Sequence, residues 1–413
     1  MFFRLHTLGC KVNQYETEFV RTALLHHGCI EVEEKVPADL VIVNTCTITG
    51  ESESKSRKAV RRLIKENPGA NVVVMGCAAT HHPDSFLQIG GVSQIITDKQ
   101  QVPDFLQQLG IAELPKGIDS LADRHRAFVK VQDGCRMGCS YCIIPKVRPT
   151  LHSRPIEEIL SEIQTLARNG YREIVLTGIH LGHYGADVAA GRSHLARLVH
   201  HIVDLPEEFR LRLSSLEVAE VNDGLIELMQ RYPDRLCPHL HLPMQSGSTE
   251  ILRLMKRRWT RKQFARRCEE ILSKFDRLAL TTDVIVGFPG ETMKHFDETW
   301  RVIERLRISK VHIFRFSPRE GTEAATLPRR VPSSEQKRRA WLLASLAQNL
   351  RVEFATSLIG SKETVLLETE TTGTSGRYLD VHLDRPMKAG TLVPVQIVQS
   401  EGETCWGIVD TRK

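Results

Sequence analysis

One ten-residue stretch, DGCRMGCSYC at 133–142, constrains this chain more than any other. It sets Cys135, Cys139 and Cys142 in C-x3-C-x2-C spacing, just after a β-branched run at 127–132. Three thiolates so close together can reach three irons of one cubane cluster, leaving the fourth iron without a protein ligand. An open iron can take a small chelating molecule, by the logic that makes an open zinc position catalytic. A structural zinc site would normally call for a fourth ligand and a repeated C-x2-C pair.

The other cysteines are read against this triplet. The chain has 413 residues and ten cysteines, with 41% hydrophobic and 26% charged residues, which excludes a largely disordered chain. No apolar run approaches the ~18–20 residues of a membrane span, and MFFRLHTLGC lacks a signal-peptide core. A cytosolic protein is therefore expected, where thiols stay reduced and clustered cysteines point to metal or catalysis. Cys10, Cys46 and Cys77 each follow a strand-like run, in TLGC, VNTC and VMGC. Strand ends of one parallel sheet converge at one edge, so these three thiols are expected to meet despite their separation. Gly9 and Gly76 before two of them allow close backbone approach. Three buried small residues are the alternative reading. Cys29, Cys237, Cys268 and Cys405 fit no cluster spacing, and the seventeen histidines show no HExxH-type pattern.

The periodicity divides the chain into about three parts, as its length suggests. Residues 1–115 alternate strands (3–9, 39–45, 71–76, 93–98) with helices (13–27, 51–66, 100–109), an α/β layer with a parallel sheet. Residues 111–125 read as a linker. Across 126–357, six strand candidates (127–132, 172–178, 210–215, 239–243, 278–287, 310–317) alternate with helices, including 156–169, 248–256, 261–275 and 291–306. Six βα units fall short of a closed eight-unit barrel, so an open (β/α)6 part-barrel is expected, its chemistry at the C-terminal strand ends. A long amphipathic helix over 333–357 closes this part, and 360–413 read as a small all-β module of barrel type.

Net charge is +6, yet residues 251–275 alone carry +7 and the rest of the chain −1. Arg257, Arg258, Arg261 and Lys262 flank Trp259 there, a pattern suited to a phosphate backbone; a solvated helix face is the alternative.

Together, TLGCKVNQYETE, NTC, MGC, CRMGCSYCIIP, LTGIHLGHYG, HLPMQSGS, DVIVGFPGET and FSPREGT resemble, in order along nearly the whole chain, the radical S-adenosylmethionine (SAM) methylthiotransferase family. The resemblance implies an N-terminal methylthiotransferase domain, a radical SAM part-barrel and a TRAM-like C-terminal domain. It implies two [4Fe–4S] clusters: one on Cys135, Cys139 and Cys142 whose open iron chelates SAM, and an auxiliary one on Cys10, Cys46 and Cys77. Tyr141, Thr177, Gly178, Glu217, Gln245 and Asp283 are the candidate SAM contacts. The implied reaction cleaves SAM to a 5′-deoxyadenosyl radical, takes sulfur at the auxiliary cluster and a methyl group from a second SAM, and replaces hydrogen at C2 of an adenine. A ring C–H bond offers no acidic proton, so radical chemistry suits it and acid–base chemistry does not.

The opening LGCKVNQYETE looks most like the branch acting on N6-threonylcarbamoyladenosine beside the tRNA anticodon. The sister branch for isopentenyladenosine typically has Gln-Met-Asn where Lys11, Val12 and Asn13 stand here. A ribosomal-protein aspartate is a third possible substrate, and a non-catalytic two-cluster electron carrier is a rival of another class. The implied partners are tRNA and a low-potential electron donor, without a membrane, with the chain a monomer. Two departures stand out. The loop after the central triplet reads KVRPTLHSRP, with Pro149 for a glycine and His152 near an expected arginine, while Lys146, Arg148 and Arg154 keep it basic and RNA- or SAM-facing. Residues 361–413 carry a net −2, leaving Arg377, Lys388 and Arg412 as a possible basic stripe.

Overall fold

The computed structural model describes all residues except 35, 123, 189–192 and 411–413. Its first layer is a five-stranded parallel sheet of β1 (Phe2–Thr7), β2 (Ile30–Glu31), β3 (Leu40–Thr45), β4 (Asn71–Gly76) and β5 (Val92–Ile95), in the order β2-β1-β3-β4-β5. Strand β3 is buried along its whole length because helices cover both faces. Leu40 and Ile42 point towards Val20 and Leu24 of α1 (Lys11–His26), and Val41 and Val43 towards Val60 and Leu63 of α2 (Gly50–Glu66). Three short helices, α3 (Cys77–His81), α4 (Asp84–Leu87) and α5 (Val102–Gln108), complete this layer. Both α3 and α4 escape the sequence reading because they are only about one turn long.

The expected linker is no free tether. Within 111–125, Ile111, Ile118 and Leu121 are buried, the Ile118 amide donates to Glu162 (2.7 Å), and that of Leu121 donates to the Tyr171 hydroxyl (2.7 Å). Three apolar residues pin this irregular strap against neighbouring cores.

Six parallel strands follow: β6 (Arg126–Asp133), β8 (Glu173–Gly178), β9 (Arg210–Leu213), β10 (His239–His241), β11 (Ala279–Val286) and β12 (Lys310–Arg315). A two-residue antiparallel strand, β7 (His152–Ser153), borders β6, and β9 meets the β10 side through a single bridge, Leu211 to Leu236. Around them lie α6 (Ile144–Val147), α7 (Ile156–Arg168), α8 (Leu195–Val203), α9 (Asp223–Arg231), α10 (Thr249–Leu254), α11 (Arg261–Leu272) and α12 (Met293–Leu306). The six-unit part-barrel is the architecture expected.

Its two faces differ sharply. Outward residues such as Val129, Ile174, Leu211, Leu240 and Leu280 pack on the helices. The alternate, inward positions carry Lys130, Gln132, Thr177, Arg212, His241, Thr281 and Asp283. A closed eight-stranded barrel fills this space with branched apolar layers; here it is a polar chamber. At its foot Glu173, fully buried, is bound by Arg210 (2.6 Å) and Arg212 (2.9 Å), whose charges hold its carboxyl far below the usual range despite the burial that opposes ionisation.

Helix α13 (Ser333–Ser357) spans the range the sequence predicts and leads into a closed five-stranded barrel. Its strands are β13 (Lys362–Leu367), β14 (Thr372–Ser375), β15 (Asp380–Leu383), β16 (Leu392–Glu401) and β17 (Thr404–Val409), in the order β13-β14-β15-β17-β16. Arg210 and Arg212 also donate to the carbonyls of Thr364, Thr374, Ser375 and Gly376, clamping this barrel under the central one. Among the described residues no helix is long and apolar enough to cross a membrane.

Candidate functional site

The dispersed cysteines meet. Strands β1, β3 and β4 are neighbours in register, with Thr7 beside Asn44 and Thr45 beside Gly76, so the next residues bring Cys10, Cys46 and Cys77 to one edge. A Cβ added to Gly9 would lie 3.2 Å from the Cys46 sulfur. Gly76 has φ +106°, and a Cβ there would lie 2.3 Å from the Thr45 backbone, so the strand exit before Cys77 admits only glycine. Burial raises the Cys10 and Cys46 thiols above their usual pKa, and the neighbouring thiols of the triplet add to the rise. The Arg148 Nε donates to the Cys77 sulfur (3.3 Å), while its other nitrogens bind Glu16, Asp133 and Asn13. Lys99 and Lys130 complete this buried ionic knot against Glu16.

The local triplet occupies the loop after β6. Gly134 lies in the left-handed region at φ +78°, where any Cβ would strike the Thr150 carbonyl. Burial, then Cys139 and Cys135, push the Cys142 thiol up to about 12. A closed chain of polar groups surrounds this loop. His180 faces the Cys135 sulfur through Nδ1 (3.5 Å) and Glu220 through Nε2 (2.6 Å). Glu220 accepts from the Glu217 amide (2.9 Å), and Glu217 is gripped by Arg257 through two contacts of 2.8 and 2.6 Å. Arg257 returns to the loop, donating to the Cys139 sulfur (3.6 Å) and the Tyr141 hydroxyl (3.5 Å). Burial lowers the His180 pKa, but Cys135 and Glu220 together outweigh it and carry it to about 9.

Both triplets fit a cluster by their own chemistry. Each offers three soft sulfur donors converging from a rigid frame, with one buried arginine beside them to offset negative charge. Neither has a fourth cysteine among the described residues: Cys29, Cys237, Cys268 and Cys405 are buried elsewhere.

Of the candidate SAM contacts, Tyr141 and Glu217 meet through Arg257. Tyr141 also stands edge-on to Phe288, ring centroids 6.5 Å apart. Thr177 and Gly178 end β8, where Gln132 bonds the His180 amide (2.8 Å). Gln245 takes a left-handed φ of 67° where the chain bridges β11 in parallel at Val284, its backbone N–H donating to the Asp283 carbonyl (2.8 Å). The Asp283 carboxylate is turned to His241 (3.3 Å), lower in the chamber.

Three sequence expectations need correction. Arg257 is no surface residue: its side chain is 4% exposed and belongs to the central cysteine loop. The left-handed Lys256 (φ 55°) reverses the chain after α10 and folds Arg257 inward across Trp259, at 4.1 Å from the ring centroid. Arg258, Arg261 and Lys262 remain exposed, with Arg261 paired to Glu298 (3.1 Å). In the KVRPTLHSRP loop only Lys146 of the three basic residues is exposed, since Arg148 is bound as described and Arg154 is held by Glu162 (2.6 Å) and the Tyr15 hydroxyl (2.9 Å). Arg377 forms no free stripe with Lys388, because it pairs with Glu363 and donates to the Arg277 carbonyl (2.7 Å); Arg412 lies outside the described residues. His180, Glu220 and Arg319 are site residues the sequence reading did not single out. Arg319, in FSPREGT, reaches Thr47 and Glu53 beside Cys46 (both 2.5 Å).

A part-barrel with one cysteine triplet at its mouth, joined to a parallel sheet with a second at its edge, defines a radical SAM enzyme with an auxiliary cluster site. The Radical SAM superfamily model matches residues 129–303, and the model described as Uncharacterized protein family UPF0004 matches residues 3–98. The chain is 37% identical over 379 residues to the threonylcarbamoyladenosine tRNA methylthiotransferase MtaB of Thermotoga maritima, covering 88% of this chain and 86% of that one. It is 35% identical to the MtaB of Bacillus subtilis (96% and 93% covered), and 30% identical to the tRNA-2-methylthio-N(6)-dimethylallyladenosine synthase of Aquifex aeolicus (96% of each). The fold resembles that of the radical SAM methyltransferase TsrM from Kitasatospora setae, with a TM-score of 0.58 at 13% identity over 78% of this chain and 74% of that one. The chain belongs to the radical SAM methylthiotransferases of the MtaB type, transferases whose cofactors are SAM and two [4Fe–4S] clusters.

Proposed function

We propose that this chain converts N6-threonylcarbamoyladenosine beside the tRNA anticodon to its 2-methylthio derivative. The observation that carries the reading is the pair of cysteine triplets, each with its own buried arginine, supported by the MtaB relatives over most of the chain. In this reading Cys135, Cys139 and Cys142 hold the cluster that binds SAM, and Cys10, Cys46 and Cys77 hold the auxiliary one. Bound there, the clusters supply one-electron reduction of SAM and a sulfur donor.

The protein's own work is to position and to exclude water. Arg257 fixes Glu217 and Tyr141 around the SAM site, and His180 braces the loop through Cys135. Thr177, Gly178 and Gln245 are strand-end contacts for SAM, whereas Asp283, turned towards His241, serves the chamber wall. Arg148 and Arg319 lock the N-terminal layer to the part-barrel, so the two triplets keep a fixed separation. Exposed Arg258, Arg261 and Lys262 guide the RNA. The work is shared among residues 1–115, 126–357 and 360–413, in a cytoplasmic monomer served by a low-potential electron donor.

Nucleoside mass spectrometry of tRNA from a deletion strain tests the reading. Loss of 2-methylthio-N6-threonylcarbamoyladenosine is expected. Loss of the 2-methylthio isopentenyladenosine derivative instead would move the chain to the sister branch.

A further inference from the structure

Lys11 directly follows Cys10 and opens α1. It is partly buried, and its ammonium sits 5.8 Å from the centroid of the Phe128 ring on β6. The Arg124 guanidinium lies 5.4 Å from the same ring. Among the described residues neither cation makes an ion pair with a carboxylate, whereas nearby Arg126 is committed to Glu368. The two border a cavity of about 820 Å³ that also takes in Tyr378 of the C-terminal barrel. Glu368 also lines this cavity, but its carboxylate is paired with Arg126, so the like charges of Lys11 and Arg124 at one apolar ring still repel each other, and an anion entering the cavity would relieve this.

Resting on the function proposed above, we infer that Lys11, assisted by Arg124, binds the carboxylate of the threonyl group and so selects the substrate base. C2 and N6 of adenine flank N1 on one edge of the ring. A base presented with C2 towards the auxiliary cysteines therefore brings its N6 substituent close to the residue after Cys10. The threonylcarbamoyl group ends in a carboxylate, whereas a dimethylallyl group carries no charge. Phe128 gives the threonyl methyl an apolar surface, and the cations take the charge.

The test uses reconstituted enzyme and anticodon stem-loop RNAs bearing threonylcarbamoyladenosine, its neutral carboxyl methyl ester, or isopentenyladenosine. Wild-type enzyme should bind the carboxylate RNA more tightly than the ester by about 10- to 100-fold, the range for a hydrogen bond to a charged group. Lys11→Gln should erase that preference, leaving ester affinity and iron content unchanged, and Lys11→Arg should keep most of it. Arg124→Gln, which is next to no cysteine in the sequence, should reduce it several-fold and decides the matter if Lys11→Gln loses iron. Wild-type preference retained in Lys11→Gln with full iron, or in Arg124→Gln where Lys11→Gln loses iron, would overturn the inference alone. Wild-type preference for the isopentenyl RNA would overturn the underlying substrate reading instead.

Discussion

The two cysteine triplets are built by opposite means. Cys135, Cys139 and Cys142 lie within one loop, so local turn geometry alone gathers them. Cys10, Cys46 and Cys77 are separated by two crossovers and meet only because β1, β3 and β4 lie side by side in register. The first site is a property of a segment and the second a property of a fold. Each is then finished by an arginine from a distant part of the chain, Arg257 at Cys139 and Arg148 at Cys77. The contrast teaches that a dispersed site is exposed to every error in sheet packing, whereas a loop site is exposed mainly to loss of its ligands.

The largest expected effect separates the sites by their iron. Replacing Cys135, Cys139 and Cys142 together by Ala should remove about half the iron and sulfide of reconstituted protein, and the matching Cys10/Cys46/Cys77 variant the other half. Unchanged iron in either variant would mean that its triplet holds no cluster.

The arginines come next. Arg257→Ala leaves buried Glu217 without its partner, a loss of about 3–5 kcal/mol in stability measured by denaturant unfolding. It should also raise the SAM concentration needed for half-maximal 5′-deoxyadenosine release. Arg148→Ala removes one of the cations on Glu16 and Asp133, but Lys130 stays paired to both and Lys99 to Glu16, so it should cost less, about 1–3 kcal/mol, and leave that SAM dependence unaltered. If both variants shifted it equally, the two sites would not be separable.

Glycines probe the difference in construction. Gly76→Ala forces a side chain onto the Thr45 backbone at a left-handed φ, and should cost about 1–3 kcal/mol or more and deplete the auxiliary site of iron. Gly138→Ala, inside the local triplet, meets nothing within 4 Å and should be tolerated. Iron titration of both proteins checks the pair.

How much of this could be read in advance follows the same division. The local triplet is visible as spacing. The dispersed one is visible because each cysteine closes a β-branched run, and parallel strands share an exit edge. Arg257 was hidden inside a basic run, since nothing in KRRWTRK marks Lys256 as the left-handed residue that turns its neighbour inward. The strap at 111–125 was hidden because Ile111, Ile118 and Leu121 are too irregularly spaced to show periodicity. The polar inner face of the barrel was in the alternation all along, in HLH and TTD, but only pairing in register shows that these residues share one chamber.

The smallest effect concerns the surface. Arg258→Ala and Lys262→Ala should each flatten the log–log salt dependence of tRNA binding by roughly 0.7–0.9 if the residue meets a phosphate, with iron at both sites unchanged. An unaltered slope would make this face a solvated one.

The central claim is that the two triplets do separate work on one substrate. The direct measurement is a paired assay of Cys46→Ala, reconstituted anaerobically and supplied with SAM, reductant and tRNA bearing threonylcarbamoyladenosine. The account predicts that 5′-deoxyadenosine is released while no 2-methylthio nucleoside is formed. Full methylthiolation by this variant would contradict it.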